Sequence, residues 1–430
     1  MKFLFCKIMI MSILIFNGLQ GSAQFSKLTH KVKDKIAQRV DKRVDASIDK
    51  TLDKVEGKPA GSTHSSSGDI QDACDIPEDR PALKAYSKYD FIPGEEIIYS
   101  NSFEEERPGE LPAGWNSSGN GVVATTSLGK GNWLQLYQDA VLLTDNQENF
   151  TANCTVEFDL LLRRDNKSAV FPQFAFGLMA TGDLPTTDNS LLQQYTRFFA
   201  TELKVQPADY DGSHLHLETF SKGGNYLSTD VKNYAKLGLQ YGKIIHVAMQ
   251  VQGERFRVWF NEDKMYDLPR AIAPGIQLNQ LFFRVKRSNS SDEEVGYLVS
   301  NIRIARGVPD LRHQLVEEGH LVTNGILFDL DAATIKPASA GVLKEIAGVL
   351  KTNKDIRIKI IGHTDDQGSE EHNLSLSKMR AAAVKQSLVN DYGIDAERLE
   401  TDGRGESQPL GDNKTKEGKA MNRRVELIKL

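Results

Sequence analysis

Residues 362–384 read GHTDDQGSEEHNLSLSKMRAAAV. Just before them, DIRIKIIGH at 355–363 alternates apolar and polar residues, the period of a strand, so Asp365 falls at a strand end. A polar loop follows, and then a helix-favouring run that stops at Gly393. Gly368 lets the loop turn tightly, and Ser369 is placed to cap the helix. Asn373, Ser377, Arg380 and Val384 recur at helical spacing and share one stripe. Strand end, loop and stripe thus bring a carboxylate and a guanidinium to one place, beside the free N–H groups of a helix start. Arginine can grip a carboxylate through two parallel hydrogen bonds, so the arrangement suits a small zwitterion. The plain alternative is a surface salt bridge, worth about 0–1 kcal/mol. A hydrolytic reading of His363, Ser369 and Asp365 fails on geometry. Three near neighbours on one loop do not make an in-line triad, and no HExxH spacing accompanies them. No catalytic residue, metal ligand or cofactor is expected there.

The flanking sequence sets this unit in a small α/β domain. NGILFDLDAATIKP (324–337) reads as a strand leading to a helix with Pro337 in its first turn, and ASAGVLKEIAGVLKTN (338–353) is amphipathic. RLETDGRGESQPL (398–410) gives a strand and loop, and NRRVELIKL (422–430) a last strand. The order βαβαβ…β argues a mixed sheet with helices on one side. The motifs ILFDLDAATIKP, GHTDDQGSEEHNLSLSKMRAAAV, GRGESQP and NRRVELI closely resemble the OmpA-like C-terminal domain of OmpA-type porins, peptidoglycan-associated lipoproteins and flagellar stator proteins, over 322–430.

That resemblance implies non-covalent binding of peptidoglycan through the meso-diaminopimelate of its stem peptide. By motif, Asp365 takes the ligand's ammonium and Arg380 its carboxylate, while Thr364, Asn373 and Asp331 line the pocket. Ser377, Arg423 and Arg424 are expected behind them. One of the two arginines braces the pocket or pairs with a carboxylate, and the sequence does not distinguish them. Asp366 and Gln367 stand where the family varies, and His372 replaces a frequent aromatic residue.

Upstream the period changes to two. TVEFDLLL (155–162), FAFGLMA (174–180), LHLETF (215–220), KIIHVAMQVQ (243–252), RFRVWFN (255–261), LFFRVKR (281–287) and GYLVSNIRIA (296–305) are strand-like and separated by Gly, Asn and Asp. An all-β sandwich over 91–308 is expected. SNSFEEERPGELPAGW, VEFDLLL, FRVWFNEDKMYDLPRA and VSNIRIARGVPD resemble the concanavalin A/laminin G-like jelly roll, which implies a glycan or another envelope component as ligand, sometimes with calcium. Glu157 and Asp159 share a strand face and read as a solvated edge, with a glycan-active enzyme as the sharper alternative. His214 and His216 also share a face and, without a third ligand nearby, read as surface histidines. A transmembrane barrel is the other alternative for this span; charges on both faces of FRVWFNEDK and FRVKRSN disfavour it.

The N-terminal quarter carries addresses and tethers. MKFLFCKIMIMSILIFNGLQGSA (1–23) has the lysines, short apolar core and small residues of a signal peptide cleaved after Ala23, and its core is too short to span a bilayer. Export to the periplasm, in association with the outer membrane, is the expectation. In 24–57, Val32, Ile36, Val40, Val44, Ile48 and Leu52 recur every fourth residue, giving an amphipathic helix suited to a coiled-coil partner, a membrane surface or a neighbouring domain. Residues 58–90 read as a flexible linker, with PAGSTHSSSGD at 59–69. Cys6 leaves with the signal, and Cys74 and Cys154 are either one disulfide or two thiols. Over all 430 residues the net charge is −5, which lacks the basic footprint of a nucleic-acid binder. The expected molecule is therefore multidomain: amphipathic helix, β-sandwich, then the α/β domain.

Overall fold

The computed structural model describes residues 89–210 and 212–430. The signal peptide, the amphipathic helix, Cys74 and nearly all of the linker lie outside the described residues.

Period-two patterning over 96–306 produces two antiparallel sheets of eight strands each. In the first sheet Asn153–Arg164 and Val295–Arg306 are central neighbours, flanked by Ile244–Gln252 on one side and Gly129–Leu136 on the other. In the second, Phe174–Ala180 lies between Phe199–Gln206 and Gln280–Val285. The sheets face each other across an aromatic core. Phe158 of the first meets Phe176 and Phe283 of the second edge-on, at ring-centroid separations of 5.0 and 5.2 Å. Both sheets are open, so these strands close no barrel. Cys154 is buried in that core, where desolvation pushes its thiol up to about 12.

Asn153–Arg164 shows how the C-terminal domain is joined. Val156, Phe158, Leu160 and Leu162 point into the sandwich, so Thr155, Glu157 and Asp159 should face water. They do not: Glu157 is 3% exposed and Asp159 2%. The reading of these two as a solvated edge is corrected. The outer face of the first sheet is covered by the C-terminal domain, and strands covered on both faces lose their polar alternation in burial. Nearby, Tyr89 and Phe91 are buried with Trp259 of the first sheet and Ala340 of the C-terminal domain, so Tyr89, read as linker, belongs to the packed fold.

The C-terminal sheet has the order His320–Thr323, Val425–Lys429, Ile358–His363, Leu399–Gly405. Its last pair is parallel and the others antiparallel. Helices Ala340–Thr352 and Glu370–Asn390 contribute Ile346, Leu350, Ala381, Val384 and Leu388 to the core against it. Two boundaries differ from the sequence reading. The first strand is His320–Thr323, and ILFDL is a loop held by one bridge between Phe328 and Ile335. Leu311 and Leu315 already belong to this core, so the unit starts before residue 322. A short helix, Lys416–Asn422, was not anticipated from sequence.

Candidate functional site

The strand Ile358–His363 ends beside the start of the helix Glu370–Asn390, with the turn between them at Gly368, whose φ is +106°. Ser369 Oγ accepts a hydrogen bond from the His372 amide at 3.3 Å, the cap that the sequence suggested. The helix rests directly on the sheet. A Cβ at Gly362 would sit 2.2 Å from the Ser377 carbonyl oxygen, so only glycine permits this approach. Ser377 is buried and accepts from the Gly405 amide at 2.9 Å, which makes it a brace between helix and strand rather than a ligand contact.

Above this junction lies a cavity of about 470 Å³, lined by Thr364, Asp365, Asn373, Arg380, Asp331 and Arg423, among others. That size falls within the range of about 300–1,000 Å³ typical of small-ligand sites. Asp365 and Arg380 therefore open onto one space. Asp365 is 6% exposed and ion-paired with Arg423. Arg380 stacks over Phe328 with 5.0 Å to the ring centroid, and its Nε donates to the Ala332 carbonyl at 3.0 Å. No acceptor among the described residues is recorded for its terminal nitrogens. Burial and the neighbouring Arg423 lower the Arg380 pKa, with Asp365 and Asp331 opposing them. Two guanidinium groups thus share a cup in which only one is directly paired with a carboxylate. An incoming carboxylate would relieve that repulsion.

The remaining candidates divide by position. Thr364 is 4% exposed, and its Oγ1 has no protein partner although it lines the cavity. Asn373 is buried and donates to the Asp365 carbonyl at 3.3 Å and to Glu406 Oε2 at 2.5 Å. Glu406 was not singled out from sequence, because it lies on a strand-loop 33 positions along the chain from Asn373. Asp331 has φ of 52° and bonds His372 Nε2 at 2.6 Å, so the histidine in the aromatic's place meets a carboxylate instead. The two arginines separate: Arg423 lines the cup, whereas Arg424 is buried and bonds Glu426 and the Gln408 carbonyl. His363 points elsewhere, 3.3 Å from Glu426. Burial, with nearby Arg424, lowers its pKa to about 4, so it is neutral at pH 7. Its ring lines a different cavity from the one containing Ser369's neighbours, and Ser369 is occupied as a cap.

A second cavity, of about 170 Å³, lies between the first sheet and the C-terminal domain. Arg303 Nε donates to Glu157 at 2.9 Å, and its Nη1 to the Asn324 carbonyl at 2.6 Å. Lys336 reaches Asp159 at 3.1 Å, and His246 bridges the two carboxylates at 3.3 and 3.0 Å. This is a buried, satisfied ion network that joins two domains. In the second sheet His216 bonds Ser228 at 3.0 Å, and among the described residues no cluster of His, Cys, Asp and Glu is arranged to hold a metal.

The model of the OmpA family matches residues 327–423, which span the cup's loop, both long helices and Arg423. Residues 327–423 are an OmpA-family domain. Over 104 residues the chain is 43% identical to the probable lipoprotein YiaD of Escherichia coli, which covers 24% of this chain and 47% of that protein. It is 36% identical over 155 residues to the peptidoglycan-binding protein ArfA of Mycobacterium bovis, covering 34% and 46%. A crystal structure of the peptidoglycan-associated lipoprotein from Burkholderia pseudomallei is 30% identical over 24% of this chain and 88% of that one, with a TM-score of 0.23. The chain spans less than half the length of both curated relatives. The family match covers the OmpA domain and does not reach the sandwich.

Proposed function

We propose that this is an exported cell-envelope protein that grips peptidoglycan without covalent attachment, through the amino-acid end of diaminopimelate in the stem peptide. Arg380 holds the ligand's carboxylate and Asp365 its ammonium, with the Thr364 hydroxyl and Asn373 beside them. The observation that carries this reading is the shared cavity of Asp365 and Arg380, in which the terminal nitrogens of Arg380 lack a recorded protein acceptor and the Thr364 hydroxyl lacks a protein partner. The relative named as peptidoglycan-binding and the envelope proteins among the family support the ligand class and a periplasmic site at the outer membrane. The sandwich meets another envelope component, and binding rather than catalysis is the molecule's work.

The test is co-sedimentation of the full chain with purified sacculi. Arg380→Ala and Asp365→Ala should each lose retention, since breaking one side of a desolvated charge contact costs about 2–5 kcal/mol, more than tenfold in affinity. Retention equal to that of the unmodified chain in both variants would reject the assignment. One small cup is a weak grip, so retention should also rise with the number of ligand copies within reach.

A further inference from the structure

The cup is not made by the OmpA domain alone. Ser102, Glu104 and Asn301, all from the sandwich, line the same cavity as Asp365 and Arg380. The strand carrying Asn301 and the loop carrying Glu104 are each held there by specific structure. Asn301 sits at an irregularity in Val295–Arg306, with φ of 52°, and its Nδ2 donates to Asp159 at 2.9 Å. Such bulges re-aim side chains beside binding sites. Phe103 anchors the Glu104 loop. It is fully buried with φ of 61°, its amide donates to Asn101 Oδ1 at 2.9 Å, and its carbonyl accepts from Asn132 at 2.8 Å.

The consecutive glutamates after Phe103 have different fates. Glu106 pairs with Lys416 at 2.6 Å and Glu105 pairs with Lys419, both on the short helix Lys416–Asn422. Glu417 of that helix accepts from the Ser100 amide at 3.1 Å. These bonds pin the loop to the OmpA domain. Glu104 is exposed and lines the cup, and no cationic partner is recorded for it among the described residues. Asp365 and Asp331 are already engaged, by Arg423 and His372. The lining carboxylates left without a recorded partner are Glu104 and Asp329.

We propose that the cup is a two-domain site, in which Glu104 of the sandwich joins Asp365 in contacting the ligand's ammonium while Arg380 of the OmpA domain contacts its carboxylate. The inference rests on the cup being the ligand site, as proposed above, and adds a binding residue outside the matched family domain. Physically, a carboxylate already paired to an arginine has less to offer an incoming cation than one that is unpaired. A loop pinned by two ion pairs and a buried aromatic holds the Glu104 backbone in place before the ligand arrives, so the ordering cost on binding is confined to the Glu104 side chain.

The experiment is calorimetric titration of the full chain with the soluble tripeptide L-Ala-γ-D-Glu-meso-diaminopimelate, and with its analogue acetylated on the distal side-chain amine of diaminopimelate. Glu104→Gln keeps size and polarity and removes the charge. It should weaken binding of the free-amine tripeptide by about tenfold, the scale of one charge-assisted hydrogen bond, and bind the acetylated analogue as the unmodified chain does. Glu293→Gln, an exposed site elsewhere on the sandwich, should change neither and so controls for net charge. If Glu104→Gln binds the free-amine tripeptide within twofold of the unmodified chain while Arg380→Ala loses it, the sandwich wall is passive and this inference falls, with the cup's function intact. If Arg380→Ala also binds normally, or the unmodified chain does not bind at all, the parent reading falls with it.

Discussion

At the scale of single residues, the ionisable groups explain both the cup and the joint behind it. Burial alone would lower the His246 pKa, but its hydrogen bonds to Asp159 and Glu157 raise it to about 9. For both carboxylates burial acts upward and is overcome, for Glu157 by Arg303 and His246 and for Asp159 by His246 and Lys336, so both are lowered. The signs fix a pH window. The carboxylates stabilise the fold above their ordinary range of about 4, and that contribution is lost as pH falls through their lowered values. The histidine's contribution is whole below its ordinary value of about 6.5 and is lost as pH rises through about 9. The melting temperature should therefore peak near pH 6.5, falling toward pH 9 as His246 loses its proton and falling below 6.5 because His363, whose pKa is lowered to about 4, stays neutral in the fold. In His246→Gln the alkaline decline should flatten, and an unchanged decline in that variant would show that the network does not titrate this way.

At the scale of elements, the helix Glu370–Asn390 sets the distance between the two halves of the grip, because it carries Arg380 over the strand end that carries Asp365. Its seat on Gly362 has no room for a methyl group. Gly362→Ala should displace the helix, lower stability by about 1–3 kcal/mol as an overpacked contact does, and weaken sacculus binding with every ligand group still present. Normal binding in a folded Gly362→Ala protein would mean the seat does not position the grip. This helix was legible in the sequence because its signals are local: Ser369 at its start, Gly393 after its end, and the helical spacing of Asn373, Ser377, Arg380 and Val384 between them. ILFDL misled because its apolar residues serve other ends. Ile326 packs in the core, whereas Phe328 supports Arg380 from a loop. Lys416–Asn422 is a single short run with Gly418 and charged residues and no apolar stripe, so its start signal, Thr415 capping the Gly418 amide at 3.0 Å, stood alone in the sequence.

At the scale of the whole molecule, the sandwich and the OmpA domain are fastened by buried charge and aromatic contact, and neither was readable from local pattern. Glu157 looks solvent-facing from its strand, but it is buried beneath Arg303, which in turn bonds the Asn324 carbonyl of a domain more than a hundred positions away. The same distance hides Glu104 from any motif. Because the joint buries ion pairs, the two domains should unfold in one calorimetric transition. Lys336→Ala leaves Asp159 short of a cation and should lower that transition or split it. Two separate transitions in the unmodified chain would show the joint to be weak. The central claim, that Asp365 and Arg380 share one cup for a zwitterion, is tested most directly by a crystal structure of the chain with the diaminopimelate tripeptide. The account predicts the ligand's terminal carboxylate on the Arg380 guanidinium and its ammonium among Asp365 and Glu104. A ligand bound outside the cup, or one whose charged end touches neither Asp365 nor Arg380, would contradict it.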